Sequence, residues 1–315
     1  MAVTLAQAAV LSQNTLARGV METFVIESPV LDRIPLMTIQ GNAYAYTKEL
    51  TLPGVAFRSV NEAYTESTGT FVQASESLVI LGGDADVDRF IVQTRGNLMD
   101  QRAAQTRAKV KAAAYKFQDT FINGDVTVDT KGFDGLKKRL TGGQVISSGV
   151  NGAPILGNGG TDVNTFFDNL DALMGAVAGG PDVVYANRSV VSRILSAGRR
   201  AGGSDMWGED MAGKRQVMWN GVPIVDIGTK ADGSLIIPQT EVQGSSSAAS
   251  SIYAVKFGND ETDQAVTGLT NGGVQVYDLG EVSDKPVYRT RLEFYCGLAT
   301  FGGQAAARLS GVIAA

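Results

Sequence analysis

The most informative stretch of the chain is NAYAYTKELTLPGVAFRSVNEAYTESTGTFVQASES, residues 42–77. Its first residues alternate with the period of two that is typical of a strand, which would place on one face Tyr44, Tyr46, Lys48 and Leu50. Pro53-Gly54 is a turn signal, and the middle of the stretch holds too few apolar residues to form a core. Compact domains rarely keep so long a projection without a partner. The stretch therefore predicts an extended arm, called the hairpin arm below, that lies on a neighbouring molecule, which favours assembly over catalysis.

The composition indicates a folded protein without a general affinity for nucleic acid. A chain of 315 residues is long enough for two domains, or for one domain with large excursions. Hydrophobic residues make up 44% of it, enough for a core. The formal net charge of −5 argues against gross nucleic-acid binding, because phosphate contacts usually require a basic surplus. Neither a secretory signal nor a membrane-spanning apolar run is recognisable, so we expect a protein made in the cytoplasm.

The chain has no histidine and a single cysteine, Cys296. The commonest general base, the commonest zinc ligand and every histidine-activated nucleophile are therefore absent. A lone cysteine excludes an intrachain disulfide, and its position within the apolar stretch Leu292–Ala299 predicts a buried, inert thiol. These features favour a protein that is not an enzyme and needs no cofactor, although chemistry based on lysine or carboxylates stays open.

The first 41 residues predict an N-terminal arm rather than a domain. Apolar residues recur at helical spacing between Leu5 and Phe24. Pro29 and Pro35 would each stop a helix, because the residue before a proline avoids the α region.

Residues 78–122 predict extended chain followed by a long helix. Leu78–Leu81 and Asp84–Gln93 form two extended pieces on either side of two glycines. From about Gly96 to Ile122 the pattern is helical, with one apolar stripe made of Val110, Ala114, Phe117 and Phe121. Gly124 would end the helix as a left-handed cap. At ~27 residues the helix would be about 40 Å long, enough for a spine along the whole subunit.

Residues 125–273 change to short elements separated by glycines. The predicted helices and strands are Asp162–Val177 and Arg188–Ala201, and Asp182–Ala186 and Ile252–Phe257. Val217–Ile227 would form a hairpin or a turn into a core strand, and Gly244–Ser251 a loop of small residues. This α/β segment reads as a domain of its own.

Strand alternation returns after Val274, at Gln275–Leu279 and Pro286–Phe301. In the second strand one face would carry Tyr288, Thr290, Leu292 and Phe294. These strands would pair in space with the spine helix, so the chain would leave one domain, build a second and return.

Three motifs are similar to ligand sites but have simpler explanations. Gly157–Thr161 resembles a phosphate-binding loop, but it lacks the lysine and follows no clear strand. Two acidic groupings could suggest a cation, Asp84, Asp86 and Asp88, and Asp125, Asp129 and Asp134. In the first, arginines occupy the glycine and glutamate positions of a calcium loop, so we expect a polar strand face or a contact with a neighbouring subunit. The second spacing is common in turns.

The hairpin arm and the spine helix carry opposite charge. The basic residues of the helix include Arg102, Arg107, Lys109 and Lys111, and the acidic residues of the arm include Glu62 and Glu66. A solvated face is the usual explanation, but opposite charge also suggests that the arm of one subunit crosses the helix of a neighbour. Exposed pairs contribute only ~0–1 kcal/mol each, yet they set register and partner choice.

Aromatic residues of the hairpin arm are the candidate anchors on a neighbouring molecule. They are Tyr44, Tyr46, Phe57 and Phe71, and Lys48 and Arg58 join them as candidate inter-subunit contacts. The alternative is that these aromatic residues pack within the arm or against its own base.

Several runs resemble the major capsid proteins of tailed bacteriophages. They are TLPGVAFRSVNEAYTESTGTF, the extended Leu78–Gln93, NLMDQRAAQTRAKVKAAAYKFQDTFINGD and WNGVPIVDI, and the similarity extends from about Thr4 to the terminal AARLSGV. The resemblance implies an α+β fold with four parts. These are an N-terminal arm (1–41), an extended β-hairpin loop (42–77), a peripheral domain with the spine helix and a β-sheet (78–124 and 274–315), and an inserted axial α/β domain (125–273).

The resemblance also implies a function. Subunits would assemble through pentamers and hexamers into the icosahedral shell of a virion, around double-stranded DNA held by weak contacts. Scaffolding, portal and decoration proteins would be further partners, and synthesis would take place in the bacterial host cytoplasm. A nanocompartment shell enclosing an enzyme shares this architecture, and a cytosolic α/β enzyme using the glycine-rich insertion is a third possibility.

Overall fold

A computed structural model of the protein describes residues 28–95, 101–157, 160–202, 207–209 and 215–314. The helical pattern between Leu5 and Phe24, the start of the spine helix and part of the phosphate-loop-like motif lie outside these ranges. Strands and helices are both abundant in the described chain, which confirms the α+β class.

The strands, in chain order, are β1 (Leu36–Thr38), β2 (Ala43–Thr51), β3 (Thr70–Ser77), β4 (Val79–Asp88), β5 (Val145–Ser147), β6 (Ala153–Pro154), β7 (Val183–Ala186), β8 (Trp207–Glu209), β9 (Arg215–Trp219), β10 (Val222–Asp226), β11 (Glu241–Gln243), β12 (Ser246–Val255), β13 (Val266–Glu281), β14 (Val287–Thr300) and β15 (Ala306–Ile313). The α-helices are α1 (Arg89–Arg95), α2 (Gln101–Asn123), α3 (Leu136–Arg139), α4 (Gly160–Gly175) and α5 (Arg188–Arg200).

A four-stranded sheet in the order β1-β13-β14-β4 packs against helix α2. The predicted apolar stripe of α2 is buried, and the Phe117 ring centre lies 5.9 Å from that of Phe294 on β14. Buried and partly exposed residues alternate from Thr290 to Cys296, as the period of two in β14 predicts. The spine helix and the strand that it covers were therefore correctly predicted.

A second sheet runs in the order β5-β15-β12-β7-β10-β9-β8, with β11 beside β12 and β6 beside β15. Strand β15 follows β14 in sequence, yet it pairs with β12 of the inserted segment. Residue 273 lies within β13, which continues through it. The division into peripheral and axial domains stays a prediction, with β15 bonded to the inserted segment instead of to the four-stranded sheet.

One buried cluster connects the two sheets. It includes Phe117 and Phe121 of α2 together with Tyr185 of β7 and Tyr253 of β12. The ring centres of Phe121 and Tyr185 lie 6.2 Å apart. Before β1 the chain adds Val30, Leu31 and Ile34 to the same cluster, so this end of the predicted N-terminal arm contributes to the core.

The extended piece predicted at Asp84–Gln93 is wrong in its second half. Strand β4 ends at Asp88, whose carboxylate accepts a hydrogen bond from the Phe90 N–H (2.7 Å), and α1 begins there. Strand β4 also continues through both glycines. Gly82 runs so close to β14 that a Cβ there would lie 2.2 Å from the Leu292 carbonyl oxygen.

The end of α2 lies where the sequence predicts it, but Gly124 is not a left-handed cap. Its N–H continues the helical pattern by donating to the Thr120 carbonyl oxygen (2.9 Å). A Cβ at this position would lie 2.3 Å from the carbonyl oxygen of Phe133. Glycine is needed here because two backbones approach closely, not because of φ.

The small-residue loop predicted at Gly244–Ser251 is mostly strand, because β12 begins at Ser246. Ser250 and Ser251 are buried, and the Ser250 hydroxyl accepts a hydrogen bond from the Asn187 side-chain amide (2.8 Å). Small polar residues can therefore occupy the sheet interior because their hydroxyls are satisfied.

The other predicted elements of the insertion are present. Helix α4 begins two residues before the predicted Asp162, and α5 begins at the predicted Arg188. Strands β9 and β10 form the hairpin expected within Val217–Ile227, joined by Asn220 (φ 48°) and Gly221 (φ 81°). Two positive φ angles in a two-residue connection are the pattern of a type I′ turn.

Candidate assembly interface

The hairpin arm forms a two-stranded antiparallel sheet of its own. Strands β2 and β3 pair from Ala43 opposite Ser77 to Thr51 opposite Thr70, and the hydroxyls of this last pair are hydrogen-bonded. Neither strand pairs with any other strand in the described part of the chain. A lone hairpin is marginally stable in water, so its attachment to the body decides where it points.

The base of the arm is fixed by two tyrosines on its own chain. Tyr46 is only 3% exposed, its ring lies edge-on to Phe301 with centres 4.9 Å apart, and its hydroxyl donates to the Thr300 carbonyl oxygen (3.2 Å). Tyr44 stacks beside Tyr46 at 6.2 Å, and its hydroxyl donates to the Glu261 carboxylate (2.9 Å). Both tyrosines therefore pack against their own chain, which is the alternative that the sequence left open, and their contact with another subunit stays a prediction.

A charged clamp reinforces the base. The Arg139 guanidinium donates to both carboxylate oxygens of Glu76, at 2.5 Å and 2.7 Å, and the two side chains are only 13% and 19% exposed. Paired donors and acceptors of this kind form strong, directional contacts. Burial, reinforced by the nearby Glu76 charge, raises the pKa of Tyr46 to about 12, so its hydroxyl stays protonated as a donor.

The tip of the arm, residues 52–69, contains no strand. Its two limbs are tied by a hydrogen bond from the Gly54 N–H to the Ser67 hydroxyl oxygen (2.8 Å). Every residue from Leu52 to Thr68 is exposed. Among them are large apolar side chains, of which Val55, Phe57 and Val60 are at least 90% exposed.

The end of the tip is a tight turn at Ser59–Glu62. The Glu62 N–H donates to the Ser59 carbonyl oxygen (3.2 Å), and Asn61 has a φ of 67°. The Glu62 carboxylate accepts from the Ser59 N–H (2.9 Å). The Arg58 guanidinium donates to the carbonyl oxygens of Ser59 (3.4 Å) and Glu62 (3.3 Å), and lies 5.1 Å from the ring centre of Tyr64. Both charged side chains therefore bind the tip itself.

The predicted basic face of the spine helix divides into two parts. Arg102 is held by its own sheet, with its guanidinium 2.6 Å from Asp278 and over the ring of Tyr288. Arg107 and Lys111 are exposed on α2. Lys109 is partly exposed, like Arg102, and its charge lies near Asp84.

Four of the acidic residues that suggested cation sites, Asp84, Asp86, Asp125 and Asp134, are paired with basic side chains. On the four-stranded sheet, Arg291 binds Asp84 (2.7 and 3.0 Å) and Arg289 binds Asp86 (2.7 and 2.6 Å). The Arg291 guanidinium holds the pKa of Asp84 below its usual range. In the turn after α2, the Lys138 ammonium contacts both Asp125 (2.5 Å) and Asp134 (3.1 Å). In the described ranges, no group of three metal-ligating side chains forms a metal site.

Two further observations concern the body. Cys296 is 1% exposed, and burial raises the pKa of its thiol to about 12, which agrees with the predicted inert residue. Among the helices that are described, none has the length and apolar character needed to cross a membrane.

The remaining arm residues that were predicted as inter-subunit contacts have exposed side chains. They are Phe57, Arg58, Glu62, Glu66 and Phe71. For Lys48 the backbone lies in β2 opposite Val72, and the side chain is outside what the structure describes. The sequence did not reveal the roles of Phe301, Arg139 or Glu76. Only their contacts with distant parts of the chain show that they anchor the arm.

Comparisons with known proteins agree with this geometry. A family model described as major capsid protein GP7 matches residues 13–165. No curated protein matches the sequence.

Solved structures share the fold over most of their length. An encapsulin complex, the holo-SrpI complex from Synechococcus elongatus PCC 7942, is 18% identical with a TM-score of 0.65, covering 90% of this chain and 87% of its own. The capsid of a native GTA particle is 12% identical with a TM-score of 0.64, covering 91% and 90%. A structure from Mycobacterium phage Bobi is 13% identical with a TM-score of 0.60, covering 91% and 90%.

At such low identities the solved structures show the fold alone, and the family model adds a relationship in sequence. The matched residues include the whole hairpin arm and all of α2. The chain is therefore similar in sequence to major capsid protein GP7 over residues 13–165, and it has the fold of solved capsid and encapsulin shells.

Proposed function

We propose that the protein assembles through pentamers and hexamers into an icosahedral shell that encloses phage double-stranded DNA. The match of residues 13–165 to a major capsid protein model supports this role, and supports a protein that acts without catalysis. The observation that carries the proposal is the hairpin arm, whose base is fixed to the body while the side chains of its tip are exposed. Monomeric proteins rarely keep large apolar groups together in water unless a partner covers them.

The tip would lie on an adjoining copy of the chain. Phe57 and Phe71 would supply apolar contact area, and Glu66 would face Arg107 and Lys111 on the neighbouring spine helix. Each exposed ion pair would contribute ~0–1 kcal/mol, so the charges would set register while apolar burial supplies most of the free energy. Many copies of a modest contact are sufficient when the assembly closes on itself.

In the complete particle, scaffolding, portal and decoration proteins would be further partners. Packaged DNA would touch the shell by weak contacts, in keeping with a chain of net charge −5. Synthesis would take place in the cytoplasm of the bacterial host, before incorporation into the virion.

Electron microscopy of the purified protein tests the proposal directly. The wild-type chain should form closed particles, whereas a variant with a two-residue Asn-Gly turn in place of residues 52–69 should give folded subunits or capsomers only. Glu66→Gln in the intact arm is the matched control, since it keeps the apolar tip. A wild-type protein that stays a small oligomer would contradict the shell function.

A nanocompartment shell is the second candidate, because an encapsulin has the same fold with a TM-score of 0.65. The contents of particles purified from cells would separate the two functions. Nuclease-protected double-stranded DNA supports the phage shell, and a defined protein cargo without nucleic acid supports the nanocompartment.

A further inference from the structure

The proposed function places the tip of the hairpin arm on a second copy of this chain, and we infer that Arg58, Asn61 and Glu62 hold the tip in its docking shape before assembly. The inference rests on the proposed shell function and assigns a role to each of these residues. It replaces the predicted role of Arg58 and Glu62 as charges that pair with a neighbouring subunit.

The turn at Ser59–Glu62 depends on one unusual backbone angle. Asn61 is its third residue and has a φ of 67°. Turns of this pattern need positive φ at the third position, which glycine and asparagine tolerate and β-branched residues resist. The sequence therefore carries a suitable residue at the position that bends the tip.

The charged groups of the tip are directed at its own backbone. The Glu62 carboxylate accepts the Ser59 N–H at 2.9 Å, so it closes the turn from one side. Arg58 reaches the carbonyl oxygens of Ser59 and Glu62 and covers the Tyr64 ring, so it closes the turn from the other. The turn therefore requires a hydrogen-bond donor at position 58 and an acceptor at position 62. It does not require a negative charge at position 62.

The turn displays an apolar surface formed by Val55, Phe57 and Val60, each at least 90% exposed. A loop that already has its bound shape loses less conformational entropy on docking than a flexible loop does. The occupant is a second copy, because capsid proteins assemble with themselves and because the base holds the tip away from its own body.

Four single substitutions separate shape from charge. Asn61→Gly keeps positive φ accessible and Asn61→Val does not, with no change of charge in either. Glu62→Gln keeps a side-chain oxygen that can accept the Ser59 N–H, and Glu62→Ala removes both the oxygen and the charge. We expect Asn61→Gly and Glu62→Gln to assemble like the wild type, and Asn61→Val and Glu62→Ala to raise the protein concentration needed for assembly by about tenfold.

Assembly would be followed by light scattering against protein concentration, with particles confirmed by electron microscopy. Hydrogen exchange of the Glu62 amide in the unassembled subunit would report the turn itself, and should be faster in Asn61→Val than in Asn61→Gly. The melting temperature should be unchanged in all four variants, since the tip lies outside the buried core.

Three outcomes would overturn the inference: assembly of Asn61→Val at the wild-type concentration, equal loss in Glu62→Gln and Glu62→Ala, or equal exchange in the two Asn61 variants. Each of these three outcomes could be observed even if the wild-type chain forms closed particles, so none of them would contradict the shell function. Failure of the wild-type chain itself to form closed particles is a different result and contradicts the proposed function.

Discussion

At its base the hairpin arm buries Tyr46 to 3% exposure against Phe301, whereas at its tip Phe57 is fully exposed. Both ends carry aromatic rings and charged side chains, so composition does not distinguish them. The partners do: Glu76 at the base binds Arg139 of the body, while Glu62 at the tip binds the tip backbone. One end is therefore bonded to the body of the subunit, whereas the other is held by its own backbone contacts and leaves its apolar side chains exposed.

The largest loss of stability is expected in the body. Phe117→Ala removes a ring that is 1% exposed and lies between Phe133 and Phe294, so it should lower the free energy of unfolding by about 3–5 kcal/mol. Chemical denaturation of the unassembled subunit measures this loss. Phe57→Ala makes the same truncation at the tip, and equal losses in the two variants would abolish the distinction between body and tip.

The clamp at the base should come next. Arg139→Met leaves the Glu76 carboxylate poorly solvated and without its partner, which should cost about 3 kcal/mol, the low end for a buried pair because both side chains keep some exposure. Lys116→Met is the control, since its pair with Asp129 is 57% and 53% exposed and should contribute only ~0–1 kcal/mol. A double variant that also carries Glu76→Met should recover part of the loss. No recovery would show that Glu76 is solvated in the native protein.

A smaller effect is expected from the hydroxyl of Tyr46. Tyr46→Phe removes its hydrogen bond to the Thr300 carbonyl oxygen and should cost about 1 kcal/mol near neutral pH. Because burial raises the pKa of Tyr46 from 10.0 to about 12, the native state resists deprotonation. Its contribution is therefore complete below pH 10 and is lost as the pH rises towards 12.

Comparing the unfolding free energies of the wild type and Tyr46→Phe across that interval isolates this one group. The difference between the two proteins should shrink as the pH rises. A constant difference would mean that the hydroxyl is not held as the structure describes.

The smallest effect on stability is expected at the tip, where Phe57→Ala should change the free energy of unfolding by no more than about 0.5 kcal/mol. The same substitution should weaken assembly, because it removes apolar area that a neighbouring copy would bury. Phe57→Leu is the matched control and should retain most of the assembly. A stability loss well above that limit would show that Phe57 packs on its own chain.

The elements whose signals are local were predictable from the sequence. The stripe of α2 repeats within four residues and the faces of β14 alternate every two, so neighbouring residues are enough to recognise them. Boundaries were less accurate where a single contact determines them. Asp88 ends β4 early and caps α1 with its side chain. At Gly124 the end of α2 was predicted correctly but for the wrong reason, because the glycine is required by the approach of Phe133 from another segment.

The attachments of the arm could not be read in this way. Glu76 and Arg139 are separated by 63 positions and Tyr46 and Thr300 by 254, so no periodic pattern links them. The acidic character of the arm was recognisable, but the donor that each carboxylate binds was not. Glu62 illustrates this, because its nearest donor is a backbone N–H three residues away instead of a lysine or arginine on a helix.

The buried cluster shared by α2 and both sheets has a consequence for curvature. Since Phe121 packs directly against Tyr185, bending one sheet relative to the other would require opening close-packed side chains. In a shell whose subunits meet at more than one angle, the body of each subunit would behave as a rigid unit. The flexibility that lets identical subunits follow a curved surface would then reside in strands β2 and β3, between the fixed base of the hairpin arm and its tip.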